Sequence, residues 1–289
     1  MDMAVSVIAT FVSNPFCYTL TTSVNLGGVI TKNPEPNCNN GSQYTQDVVV
    51  ELSANPASNI YIFANWGGDA SGSSNPIQIT TTQDWSVTAI FEQSTFSDVP
   101  FNHPLYDYIQ ALYDAGYTAG CLTNPLRYCP DNTMTRAESA VFMLRGQFGS
   151  GYTPPVAPWD TFADNWNPGT WAEKWAEGMW VEGMTAGCLT NPLRFCPWDQ
   201  FPRVQAAVFG LRMKYGMSYT PPAATGTLFT DMIDTGFWGT KWAEQAFSDG
   251  LLPACGTQDE KPLFCPNDLV TRAWGAYLIV QAKDLPLTP

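Results

Sequence analysis

The segment AGCLTNPLRYCP around Cys121 recurs as AGCLTNPLRFCP around Cys188, 67 residues on, and a looser copy, ACGTQDEKPLFCP, places Cys255 another 67 residues on. The units also open alike, with Phe96-Ser97-Asp98, Phe162-Ala163-Asp164 and Phe229-Thr230-Asp231. They close alike at Arg136, Arg203 and Arg272, and two of the joints match, Tyr152-Thr153-Pro154-Pro155 and Tyr219-Thr220-Pro221-Pro222. A fixed period of this length means one supersecondary unit used several times, with neighbouring copies burying what a single copy cannot.

Within a unit the pattern is helix, loop, helix. Leu105, Tyr108, Ile109 and Leu112 fall at helical spacing, and Gly116 and Gly120 stop that helix. The stretch Cys121–Pro130 reads as a loop. Thr135 and Glu138 then form a capping box ahead of a second helix whose apolar face is Ala140, Val141, Leu144 and Phe148. Two cysteines bracket each loop. Because the repeated element carries its own pair, the expected bridges are Cys121–Cys129, Cys188–Cys196 and Cys255–Cys265. None of the eight cysteines lies in a C-x-x-C pair, which disfavours zinc ribbons and thioredoxin-type sites and favours disulfides in an oxidising compartment.

The F-x-D opening, the helix ending Ala115-Gly116-Tyr117-Thr118-Ala119-Gly120, Cys129-Pro130-Asp131 and Thr135-Arg136-Ala137-Glu138 together resemble S-layer homology repeats, over about residues 95–285. The resemblance implies three repeats packed as a pseudo-threefold helical prism. It also implies grooves that bind cell-wall glycopolymer or envelope polysaccharide, with Arg136, Arg203 and Arg272 meeting the ligand's acidic group. A planar guanidinium suits a carboxylate. A second reading has these arginines pair with Asp98, Asp164 or Asp231 of a neighbouring repeat. The second copy reads Phe201-Pro202-Arg203 and lacks the capping Thr. The third reads Thr271-Arg272-Ala273-Trp274 and lacks the Glu. These departures point to glycan binding at one groove, or at none.

Residues 12–94 differ in composition, with Thr, Val, Asn, Gly and Ser dominant and period-two segments at Tyr18–Val24, Val48–Ser53 and Trp85–Phe91. They predict a small all-β domain with one cysteine pair, Cys17 and Cys38. Gly27-Gly28-Val29-Ile30, Val48–Ala54 with Pro56, Phe63-Ala64-Asn65-Trp66-Gly67-Gly68-Asp69, Ser71-Gly72, Asn75-Pro76 and Val87-Thr88-Ala89-Ile90-Phe91 resemble a divergent internalin-type B-repeat, a family of spacers or adhesive stalks. Trp66 reads as core and Gly67-Gly68-Asp69 as a turn, in preference to a sugar or calcium site. Val5–Phe11 matches Trp85–Phe91 in alternation, so residues 1–11 read as the last strand of a preceding β repeat and the chain as a fragment. As the natural whole, the chain would instead donate that strand to a neighbouring copy.

The expectation is therefore a multidomain α+β chain. Its parts are the strand at 1–11, a β-rich B-repeat-like domain at 12–94, and S-layer-homology-like repeats at 95–150, 159–218 and 226–285. With 13 Lys and Arg against 26 Asp and Glu, the net charge is −13, and no basic face exists for nucleic acid or anionic membrane. No apolar run reaches the roughly 20 residues of a membrane span. A single His, His103, and the absence of nucleophile-elbow, Walker or dinucleotide motifs argue against an enzyme; no cofactor or metal is expected. Trp175 and Trp242 align with Tyr108 as core, whereas Trp159, Trp166, Trp198 and Trp238 fall in loops or at helix starts. The leading expectation is an extracellular, non-catalytic anchor at the bacterial cell surface. The alternatives are a subunit that assembles with copies of itself into a surface layer or filament, and the tail of a larger secreted hydrolase.

Overall fold

A computed structural model describes residues 15–164 and 171–287. The expected strand at 1–11 and Trp166 lie outside the described residues. The fold is mixed α+β, with six helices and several small sheets among the described residues, and the chain divides into two compact units at Ser94/Thr95.

The first unit holds eight strands: β1 (Cys17–Tyr18), β2 (Leu20–Val24), β3 (Gly28–Asn33), β4 (Tyr44–Thr45), β5 (Val49–Pro56), β6 (Tyr61–Gly68), β7 (Ile77–Thr80) and β8 (Trp85–Gln93). One sheet has the order β2-β8-β6, with β2 parallel to β8. The other has the antiparallel order β3-β5-β7, and β1 and β4 form a short ribbon. Alternation decides which side is buried: Val50, Leu52 and Ala54 of β5 and Val87, Ala89 and Phe91 of β8 point into one shared core. Trp66 is 1% exposed in that core, with its indole N–H donating to Ser74 O. Asp69 is a turn residue and accepts from Ser86 N, but Gly67 and Gly68, expected in the same turn, end β6 paired with Thr88 and Val87 of β8. Cys17 bonds to Cys38.

The second unit repeats one pattern three times. The helices are α1 (Tyr106–Asp114) and α2 (Arg136–Phe148), α3 (Trp171–Val181) and α4 (Arg203–Tyr215), α5 (Thr240–Ser248) and α6 (Arg272–Lys283). The cysteine-bracketed segment, expected as a loop, is a two-stranded hairpin in every copy: β9 (Leu122–Thr123) with β10 (Leu126–Arg127), β11 (Leu189–Thr190) with β12 (Leu193–Arg194), and β13 (Gly256–Gln258) with β14 (Lys261–Leu263). Gly120 and Gly187 enter the first two hairpins at φ +83° and +82°. A Cβ on Gly120 would collide with Arg127 O and one on Gly187 with Arg194 O. The third copy carries Ala254 at this place, ahead of longer strands.

The inner helices α2, α4 and α6 all pack on one another. Each outer helix packs on an inner helix of another copy, α3 on α2, α5 on α4 and α1 on α6. Backbone bonds close the same circuit. Met134 N donates to Val270 O, Val270 N to Phe201 O and Phe201 N to Met134 O, all at 2.9 Å. One apolar core runs through the three copies. Leu144 and Ala140 are buried as expected. Phe148 is not: it is exposed and stacks on Tyr152, because the buried side of α2 instead takes in Ala137, Phe142 and Met143. In the matching joints Pro154 is half-buried and Pro221 is buried.

Candidate functional site

The residues that recur with the repeat meet at the joints between copies. Each opening aspartate folds back on its own hairpin. Asp98 accepts from Tyr128 N and Cys129 N, both at 2.8 Å. Asp164 accepts from Phe195 N (2.7 Å) and Cys196 N (2.8 Å), and Asp231 from Phe264 N (2.8 Å) and Cys265 N (2.6 Å). Cys129, Cys196 and Cys265 have φ of 57°, 55° and 55°. A side chain rarely adopts this left-handed turn without support. The carboxylate supplies it by gathering two consecutive N–H groups, and the disulfides Cys121–Cys129, Cys188–Cys196 and Cys255–Cys265 close the hairpins.

The motif arginines take the other side of the same peptides. Arg136 donates through Nε to Phe195 O (2.8 Å), Arg203 to Phe264 O (2.9 Å) and Arg272 to Tyr128 O (2.8 Å). Each guanidinium also lies over the ring of that residue, at 4.9, 5.2 and 5.0 Å. Arg136 further donates to Gln205 Oε1, and Arg203 to Pro253 O at 2.6 Å. Neither sequence reading anticipated this. The arginines form no direct ion pair with Asp98, Asp164 or Asp231; the aspartate and the arginine of adjoining copies bind opposite ends of one residue. Among the described residues the one salt bridge is Arg127–Asp98, at 3.3 Å. Burial pushes the Arg136 and Arg203 guanidinium pKa values down; Asp199 and Asp164, and Asp268 and Asp231, act the other way.

Three grooves open at the copy boundaries, and their linings are repeat-related. The first, of about 440 Å³, runs along α4 between the Met184–Cys188 segment and the start of α5, with Arg136 in it. The second, about 260 Å³, includes Arg203, Asp268 and Trp274. The third, about 150 Å³, runs along α2 and includes Arg272, Glu138, Arg145 and Trp171. Arg145, Arg212 and Trp171 were not singled out from the sequence, which had set Trp238 apart at a helix start. Arg145 and Arg212 occupy the same place one repeat apart, stacked on Trp175 and Trp242 at 5.3 and 5.5 Å. Trp171 and Trp238, four residues before those core tryptophans, are 45% and 51% exposed and wall the third and first grooves. Aligning the outer helices on Trp175 and Trp242 would have found both. Pro104 stands at the equivalent place in the first copy. Trp159 is half-buried, with its N–H on Pro155 O, and Trp198 is 57% exposed against Trp171. His103 Nδ1 accepts from Leu105 N at the start of α1.

Four disulfides are compatible with an extracellular or otherwise oxidising environment. No helix among the described residues is long and apolar enough to cross a membrane. No protein-family model matches the chain, and no curated protein matches it.

Proposed function

We propose that this chain is a non-catalytic anchor that holds a bacterial surface protein to envelope polysaccharide. Its three S-layer-homology-like repeats form a pseudo-threefold prism whose grooves take the glycopolymer, and its B-repeat-like β domain serves as a stalk. The observation that carries the reading is the set of repeat-related grooves at the copy boundaries, each with a motif arginine in its lining and two with an exposed tryptophan wall. Aromatic walls with a few placed polar groups are what sugar recognition needs. The motif arginines serve this function indirectly, by fixing the hairpins that shape the grooves.

The test is co-sedimentation of the full chain with purified bacterial sacculi before and after acid stripping of their secondary polysaccharide. The expected result is binding to intact sacculi that is lost on stripping and weakened by Trp238→Ala. Binding that survives stripping, or no binding with concentration-dependent polymers in sedimentation velocity, overturns the anchor and favours the self-assembling subunit.

A further inference from the structure

The three grooves are alike in backbone but not in charge. In the second, Asp268 joins Arg203, and the place of Arg145 and Arg212 is taken by Gln281, which donates to Tyr108 Oη at 3.3 Å. In the third, Glu138 lines the groove with Arg145 and Arg272. The first holds Arg136 and Arg212, has neutral Gln205 where the third has Glu138, and has no acidic residue in its lining. In a chain of net charge −13, this groove places two cations in one lining; Asp199 and Asp164 act on Arg136 from outside it, whereas no carboxylate acts on Arg212.

Arg136 and Arg212 differ in what they have left to offer. Arg136 is buried and engaged with Phe195 O and Gln205. Arg212 is half-buried, and among the described residues its one acceptor is Met184 O, at a long 3.3 Å from Nη1. Its Nε is buried with no partner. Burial pushes its pKa down, and no carboxylate acts against that. The guanidinium lies over the Trp242 ring, 5.5 Å from its centroid, which restrains it within the groove. A partly buried cation with no counter-ion and a single long hydrogen bond has much to gain from a bound anion. Trp238 lines the same groove with half its surface exposed, a flat apolar platform open to a ligand.

We infer that the groove along α4 is a selective site for an acid-bearing saccharide of one or two sugar units, its acid group held by Arg212, not by the motif arginine Arg136, and a sugar face resting on Trp238. This rests on the reading that the grooves bind polysaccharide, and it assigns the anion to one groove of three. A carboxylate and a phosphate ester present the same chemistry to a guanidinium, so the probes separate them.

The experiment is a tryptophan-fluorescence titration of the full chain with three probes. They are N,N′-diacetylchitobiose (neutral), a glucuronic acid–N-acetylglucosamine disaccharide (carboxylate) and N-acetylglucosamine 6-phosphate (phosphate). Saturable binding of one or both acidic probes, at least about tenfold tighter than the neutral one, is expected. Arg212→Gln should weaken that binding about 10- to 100-fold, Trp238→Ala should weaken it too, and the charge-matched surface variant Lys261→Gln should leave it unchanged. Should Arg212→Gln fail to fold, Trp238→Ala and the salt dependence of the unaltered chain decide. Affinity that stays flat between about 0.05 and 0.5 M salt overturns the assignment. So do equal binding of the neutral probe, wild-type affinity in folded Arg212→Gln, and no acidic-probe binding up to about 10 mM. Sacculus binding untouched by Arg212→Gln would spare the anchor and sink this site. Arg212-dependent probe binding without sacculus binding would do the reverse.

Discussion

Asp98 holds two consecutive backbone N–H groups with both carboxylate oxygens and is 14% exposed as a side chain, whereas Asp231 makes the same two bonds from an exposed position. Charge-assisted bonds are worth more where water cannot replace them. Asp98→Ala should therefore lower unfolding stability by about 2–3 kcal/mol in urea titration, and Asp231→Ala by clearly less. Tyrosines give a second residue-scale handle. Burial, with Glu182 close by and accepting its hydrogen bond, pushes the Tyr152 hydroxyl from its ordinary 10.0 up to about 12. A pKa raised on folding means that the folded state holds its proton longer than the unfolded chain does. The stability this contributes is complete below pH 10 and is lost as pH rises from there through about 12. The melting temperature should fall across that window, and Tyr152→Phe should blunt the fall. The sequence showed which residues recur but not what they bind. The partners that recur in every repeat for the opening aspartate and the motif arginine are backbone N–H and C=O groups, which carry no residue identity. A pattern of Asp and Arg therefore read as a direct ion pair between adjoining repeats, where the two side chains bind opposite ends of one residue.

At the scale of the element, the helix starts are nearly superimposable and differ only in chemistry. Thr135, Pro202 and Thr271 precede α2, α4 and α6 at φ −79°, −82° and −80° and ψ 164°, 158° and 165°. Thr135 has the full capping box with Glu138. Thr271 accepts from Trp274 N without a return bond, and Pro202 offers no side-chain cap. Thr135→Ala should cost about 1–2 kcal/mol and Thr271→Ala about 1 kcal/mol or less, measured by chemical denaturation. These caps were legible in full, because a capping box is a local sequence pattern. The hairpins inside the cysteine brackets were not. Two-residue strands carry no periodicity, and what makes them is the left-handed cysteine and the aspartate some 30 residues earlier. Removing a bracket as Cys188→Ser with Cys196→Ser should lower stability by roughly 2–3 kcal/mol. In the β unit, strands β5 and β8 were legible from alternation. The parallel pairing of β2 with β8 was not, since no local pattern specifies which distant strand becomes a neighbour.

On the scale of the whole molecule, the three repeats share one core and a closed circuit of backbone bonds in which each copy donates to another and accepts from the third. No copy keeps its bonding if a neighbour opens, so residues 95–287 should unfold in a single calorimetric transition, with calorimetric and van't Hoff enthalpies equal for that transition. The period of 67 residues made the mutual burial of the copies legible, because a short helix pair cannot cover its own apolar face. The inequality of the grooves was not legible. It arises from single differences, Gln205 for Glu138 and Gln281 for Arg145, whose meaning depends on which copy's helix stands opposite. The central claim is that these grooves are the surface that meets the envelope. It is tested most directly by amide hydrogen exchange of the full chain with and without polysaccharide released from sacculi. The account predicts added protection at the groove-lining segments, above all 184–188 and the start of α5, with residues 15–94 unchanged. Protection confined to residues 15–94, or no change anywhere at saturating polysaccharide, would contradict it.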